Sequence, residues 1–196
     1  MEEQPFSITG IVIRKDANTK SDGILELLSK SLDESVTGFC VENNSGFFLV
    51  FECASIDFAN VLRSIYNIFR RNTASRLIFN IDDVNKKLFS EFQILVEESD
   101  EDQRAEENSG DSEIDVRDVA FDIYSRVKSI SENIVGSTLK DIKASKSSLF
   151  LSHEDIILIS KIDGLFGIRE MLEFTSESAC TTLPSDSSWP AFPPTS

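Results

Sequence analysis

The chain has 196 residues, 40% of them hydrophobic and 27% charged, with 34 acidic against 19 basic side chains and a formal net charge of −15. These values fit one globular domain with appendages and exclude a chain that is disordered throughout. The acidity disfavours a broad phosphate-binding surface, but it is concentrated: residues 97–118 hold eleven acidic and two basic side chains, whereas residues 1–93 hold thirteen and ten.

The first five residues carry two acidic and no basic side chains, and the apolar run at 8–13 is brief and followed by Arg14 and Lys15, unlike a secretory signal. No apolar stretch approaches the length that spans a membrane. Cys40, Cys53 and Cys180 are odd in number, widely spaced and form no C-x-x-C pair. That pattern argues against a disulfide framework or a zinc knuckle and points to a reducing compartment, nucleus or cytoplasm.

In chain order, residues 8–14 read as an apolar strand, followed by a polar turn at 18–23. Ile24, Leu27, Leu28 and Leu32 then recur at helical spacing, on one face of a helix ending near Asp33. Residues 37–42 and 46–52 are short β-prone runs joined by Asn43-Asn44-Ser45, a hairpin composition. Ser55 is placed to cap a second helix through Phe58, Val61, Leu62, Ile65 and Phe69, closed by Arg70 and Arg71 at its negative end. Leu77, Phe79 and Ile81 alternate as in a half-buried strand.

The order β-α-β-β-α-β predicts an α+β class and the ferredoxin-like split βαβ plan, a sheet with two helices on one face. A short helix capped by Asp82 or Asp83 and running through Phe92 is expected next, then an edge strand at 93–96, so the α/β domain is bounded at 1–96. Residues 97–111 have too little apolar surface to repay ordering and read as a disordered acidic linker. Val116, Ala120, Ile123, Val127, Ile130 and Ile134 then form the seam of a long helix, capped by Ser112 with Asp115 and ended by Gly136. Ser152 with Asp155 opens a second capping pattern over an apolar stretch at 156–174 broken near Gly164 and Gly167. The helical segment is therefore 112–174, and 175–196, rich in Ser, Thr and Pro and lacking Lys and Arg, reads as a flexible tail.

The pattern carries no catalytic constellation. His153, the only histidine, has no histidine partner for metal or nucleophile chemistry and reads as a surface residue beside a helix cap. No phosphate-cradling glycine loop or nucleophile elbow occurs, and the thiols Cys40 and Cys53 read as small buried hydrophobes. No cofactor, metal, small-molecule substrate or catalytic residue is expected.

Alternation places Phe39, Val41, Phe47, Leu49, Phe51, Leu77, Phe79 and Ile81 on the helix-covered side of the sheet. The opposite side then carries Val12, Arg14, Cys40, Glu42, Phe48, Val50, Glu52, Ile78 and Asn80. Its single aromatic and two glutamates are poor for stacking RNA bases. Val12, Phe48, Val50 and Ile78 are accordingly candidate contacts for a protein partner or for the chain's own C-terminal helices. Trp189 and Phe192, in a Pro-rich run, are candidates for a docking peptide, and Ser99 and Ser112, each followed by acidic residues, for phosphorylation.

The hairpin at 39–52, the helix at 58–69 and the strand at 77–81 give residues 6–82 a pattern that resembles the small ferredoxin-like protein subunits of eukaryotic ribonuclease P and MRP. In that family the RNA catalyses and the proteins shape it. The resemblance implies a ribonucleoprotein subunit in tRNA or rRNA processing, with RNA met by the basic group Arg63, Arg70, Arg71, Arg76 and Lys87. The reading that needs no RNA is a non-catalytic scaffold or adaptor subunit of an intracellular assembly, working through protein contacts.

Overall fold

The computed structural model describes residues 5–15, 22–69, 74–97 and 115–178. It is a mixed α+β structure with a five-stranded sheet and helices on both of its faces. Strand β1 (Phe6–Arg14) leads to helix α1 (Asp22–Ser31), then β2 (Thr37–Glu42) and β3 (Gly46–Ala54). A 3-10 turn (Ser55–Asp57) enters α2 (Phe58–Phe69), and β4 (Ser75–Val84) and β5 (Phe92–Val96) complete the sheet. Helices α3 (Val116–Asn133), α4 (Leu139–Ser145), α5 (His153–Ser160) and α6 (Ile168–Ser178) follow. The order across the sheet is β4-β1-β3-β2-β5, with every pair antiparallel except β2 with β5.

Local chemistry explains much of this. The Asn43 side chain accepts from the backbone N–H groups of Ser45 and Gly46, an Asx turn that closes the β2–β3 hairpin. Gly38 sits in β2 at φ +131°, where a side-chain Cβ would lie 2.2 Å from the Val50 carbonyl oxygen, so only glycine lets β2 pair with β3 there. Asp115 is itself the cap of α3, accepting from the Arg117 N–H, and not the third helical residue of the expected Ser112 box, whereas the expected Ser152–Asp155 capping box opens α5. A second box, Thr138 with Asp141, opens α4, which the apolar periodicity does not reveal because the helix is only seven residues long.

Several expectations fail for identifiable reasons. Ser55 does not cap α2: its hydroxyl is drawn away to Asp82, and the helix is entered through the 3-10 turn. No helix forms between Asp82 and Phe92. Instead β4 continues to Val84, through Asp83 at φ 57°, and the backbone N–H groups of Leu88 and Phe89 are taken by the Glu52 carboxylate. The apolar stretch at 156–174 is two helices, α5 and α6, and α6 runs on to Ser178, past the expected start of the tail at 175.

The sheet separates two apolar clusters. On one side α1, α2 and α6 pack against Ile11, Ile13, Cys40, Phe47, Leu49, Phe51 and Leu77. On the other α3, α4 and α5 pack against Ile8, Val12, Phe39, Val41, Phe48, Val50, Ile78 and Phe79. The alternation is right for β3, but β2 is placed one residue out, because Val41 pairs with Phe48 and Cys40 with Leu49. Phe39 and Val41 therefore exchange sides with Cys40 and Glu42. A register irregularity where Gly10 meets Phe79 and Ile11 meets Leu77 moves Phe79 and Ile81 as well. Among the described residues, no helix is long and apolar enough to cross a membrane.

Candidate interaction surface

The sheet side proposed as sticky is covered by the chain itself. Val12 and Val50 are fully buried, and Phe48 and Ile78 are 2% and 5% exposed, in one cluster with Ile123, Val127 and Ile130 of α3 and Ile156 and Ile159 of α5. These four residues are core, not a surface for another chain. Trp189, Phe192, Ser99, Ser112, Arg70, Arg71 and Cys180 lie outside the described residues.

The structure does not gather the rest of the basic group. Arg63 is exposed on α2, where it donates to the Asn60 side chain. Arg76 is half-buried at the start of β4, 4.0 Å from Asp163. Lys87 donates to the Ser35 carbonyl and lies over the Phe6 ring. Phe6 and Val12, the latter opposite Arg76 in the sheet, are six residues apart on β1, which separates Lys87 from Arg76 by about 20 Å at ~3.3 Å per residue.

The buried polar groups serve the fold. Glu52 is fully buried and accepts from the Thr37 hydroxyl at 2.9 Å and from the N–H groups of Leu88 and Phe89 at 2.6 and 3.0 Å. It ties the β4–β5 loop to the middle of the sheet. Glu42, 3% exposed, is ion-paired with Lys15, which also donates to the Asn43 carbonyl and lies over the Phe47 ring. At the β1–β4 end, the hydroxyls of Ser55 and Ser7 donate to Asp82 and hold its carboxyl below the usual range. His153 is half-buried at the start of α5, and its Nε2 meets no hydrogen-bond partner. Among the described residues, no group of three or more His, Cys, Asp or Glu side chains is arranged to hold a metal ion.

The two described thiols are free and buried, as expected of small hydrophobes. Burial, with the Glu42 carboxylate adding to it, pushes the Cys40 thiol far up. Cys53 is pushed up to about 11, first by burial and then by Asp57. At pH 8 the Cys53 thiolate is then about one part in a thousand, so alkylation should modify neither thiol at an appreciable rate. Peptide mapping after iodoacetamide treatment is expected to show labelling of both at least a hundredfold slower in the native protein than in urea.

Concavities open on the helical surface among the described residues. The α1–α2 cleft, about 280 Å³, is lined by Ser31, Asp33, Ser35, Asp57, Asn60 and Ser64 among others. A wider one of about 590 Å³ lies between the β4–β5 loop and the α3–α4 turn, and its Asp141 is already engaged in the α4 capping box. Another, about 250 Å³, runs between α3 and α5, with an apolar floor and an acidic rim. Large apolar side chains also stand in solvent in and around the C-terminal helices: Phe121 is 74% exposed, Val135 86%, Leu158 50%, Phe166 58% and Phe174 60%. Only the seam of α3 was readable from spacing. Exposure of these residues depends on which helix face the sheet claims, so no sequence signal marks them.

No family model matches this chain, and no curated protein matches it significantly. Several solved structures resemble it. One is described as "BlrP1 BLUF", with 16% identity and a TM-score of 0.39 over 49% of this chain and 67% of that one. Another is a bacterial light-regulated adenylyl cyclase, with 12% identity and a TM-score of 0.39 over 80% of this chain and 39% of that one. Likeness at this level carries no argument about function.

Proposed function

We propose that this chain is a non-catalytic scaffold or adaptor subunit, built on a ferredoxin-like split βαβ sheet, that meets its partners through its C-terminal helices. The order β4-β1-β3-β2 and the antiparallel pairing of these four strands support that plan, with β5 added in parallel beside β2.

The observation that carries the reading is the exposed apolar set on α3, α5, α6 and their turns, while both sheet faces are occupied from within. The β4 edge is also a poor site for a partner strand. The Leu77 N–H donates to the Phe166 carbonyl at one end, and exposed Asp82 and Asp83 guard the other. Along β5, Gln93 accepts from the Leu139 N–H and Glu97 pairs with Lys143, which brings α4 against that edge.

Cross-linking mass spectrometry on the full chain in native extracts tests this. Inter-protein cross-links to residues 116–178 that survive ribonuclease are expected, and they should be reduced in a Phe166→Ser, Phe174→Ser variant that retains its melting temperature. Association lost on ribonuclease treatment and weakening steeply with salt would replace this reading by the ribonucleoprotein one.

A further inference from the structure

The groove between α3 and α5 has a composition that selects its occupant. Val119 and Ile123 on α3 and Leu158 and Ile159 on α5 form its apolar floor, with Leu158 half in solvent. Asp118, Asp122 and Asp155 stand around it with a single cation, Arg126. Arg126 lies 2.7 Å from Asp122 and 3.9 Å from Asp155, so its charge is shared and Asp118 adds to a net excess of negative charge at the rim.

At about 250 Å³ the groove falls below the ~300 Å³ at which pockets for drug-sized ligands begin, and it suits one or two bulky apolar side chains. An apolar floor inside an acidic rim complements an apolar anchor flanked by Lys or Arg, and repels phosphate backbones. The two longest of the chain's own segments outside the described residues lack that chemistry. Residues 179–196 contain no basic residue and one acidic one, and residues 98–114 hold a single Arg among many carboxylates.

We infer that the α3–α5 groove docks a short basic segment of another protein, with an aliphatic or aromatic anchor seated against Leu158 and Ile123 and flanking Lys or Arg side chains on Asp118 and Asp122. This rests on the adaptor reading and names the chemistry of its partner. Binding through one small groove and a solvated rim should be weak, and it should weaken further as salt screens the rim.

The test is selection of a randomised twelve-residue peptide library on the full chain, in parallel with two variants, Leu158→Ser and the double Asp118→Asn, Asp122→Asn. Both alter solvent-facing positions, and circular dichroism with a melting curve checks that they fold. Peptides enriched on the native chain are expected to carry an apolar residue between at least two Lys or Arg residues. The most enriched one, labelled for fluorescence anisotropy, should lose about tenfold in affinity on each variant. Enrichment of acidic or uncharged peptides, equal binding to folded variants, or no enrichment at all overturns the inference. If the cross-links of the native extracts persist in the Leu158→Ser variant, the groove assignment fails while the adaptor reading stands.

Discussion

Replacing Phe48 by alanine is expected to destabilise the protein by about 3–5 kcal/mol, measured by urea unfolding. The ring is 2% exposed, packs edge-on against Phe39 at 5.6 Å and lies on the sheet side that α3, α4 and α5 cover. Truncation removes its transfer free energy and leaves a cavity in a two-sided sandwich that has little room to collapse. The loss is a large fraction of the ~5–15 kcal/mol that stabilises a typical domain. The same substitution separates two accounts of this face. If the C-terminal helices cover it in cis, stability falls with no partner present. Unchanged unfolding, with loss only of association, would mean that another chain covers it.

A comparable loss, about 3–5 kcal/mol, is expected from Glu52→Ala, because three donors that now meet one carboxylate would be left in the interior. Each buried unsatisfied group costs about 1–3 kcal/mol, and relaxation of the β4–β5 loop recovers part of the total. Hydrogen exchange gives the sharper readout: the Leu88 and Phe89 amides should lose protection well beyond the global change, while β1 and β3 amides follow it. Glu52→Gln keeps an acceptor oxygen and should lose roughly half as much. Equal exchange at Leu88 and Phe89 in the native and Glu52→Ala proteins would show that the carboxylate does not hold the loop.

These two residues show how far the chain could be read. The hairpin of β2 and β3, the α2 face through Leu62, Ile65 and Phe69, and the Ser152 cap are local, decided by turn chemistry and by neighbours three or four positions away. Sequence patterning carries such features because the interacting groups lie within one turn of chain. The buried role of Glu52 could not be read this way, because its donors lie 15, 36 and 37 residues away.

The candidate surface divides in the same manner. Spacing identified the α3 seam and the apolar residues Val12, Phe48, Val50 and Ile78, but not what covers them. The face given to each residue of β2 depended on its pairing with β3, and a shift of one residue reverses every side chain. The acidic groove arises where Asp118 and Asp122 on α3 meet Asp155 on α5, more than thirty residues further along. Composition and periodicity thus established an α+β chain of apolar strands and amphipathic helices with an acidic stretch between them. Tertiary packing alone chose which faces were buried and which were left exposed, because burial is settled by contacts between distant segments that no local pattern encodes.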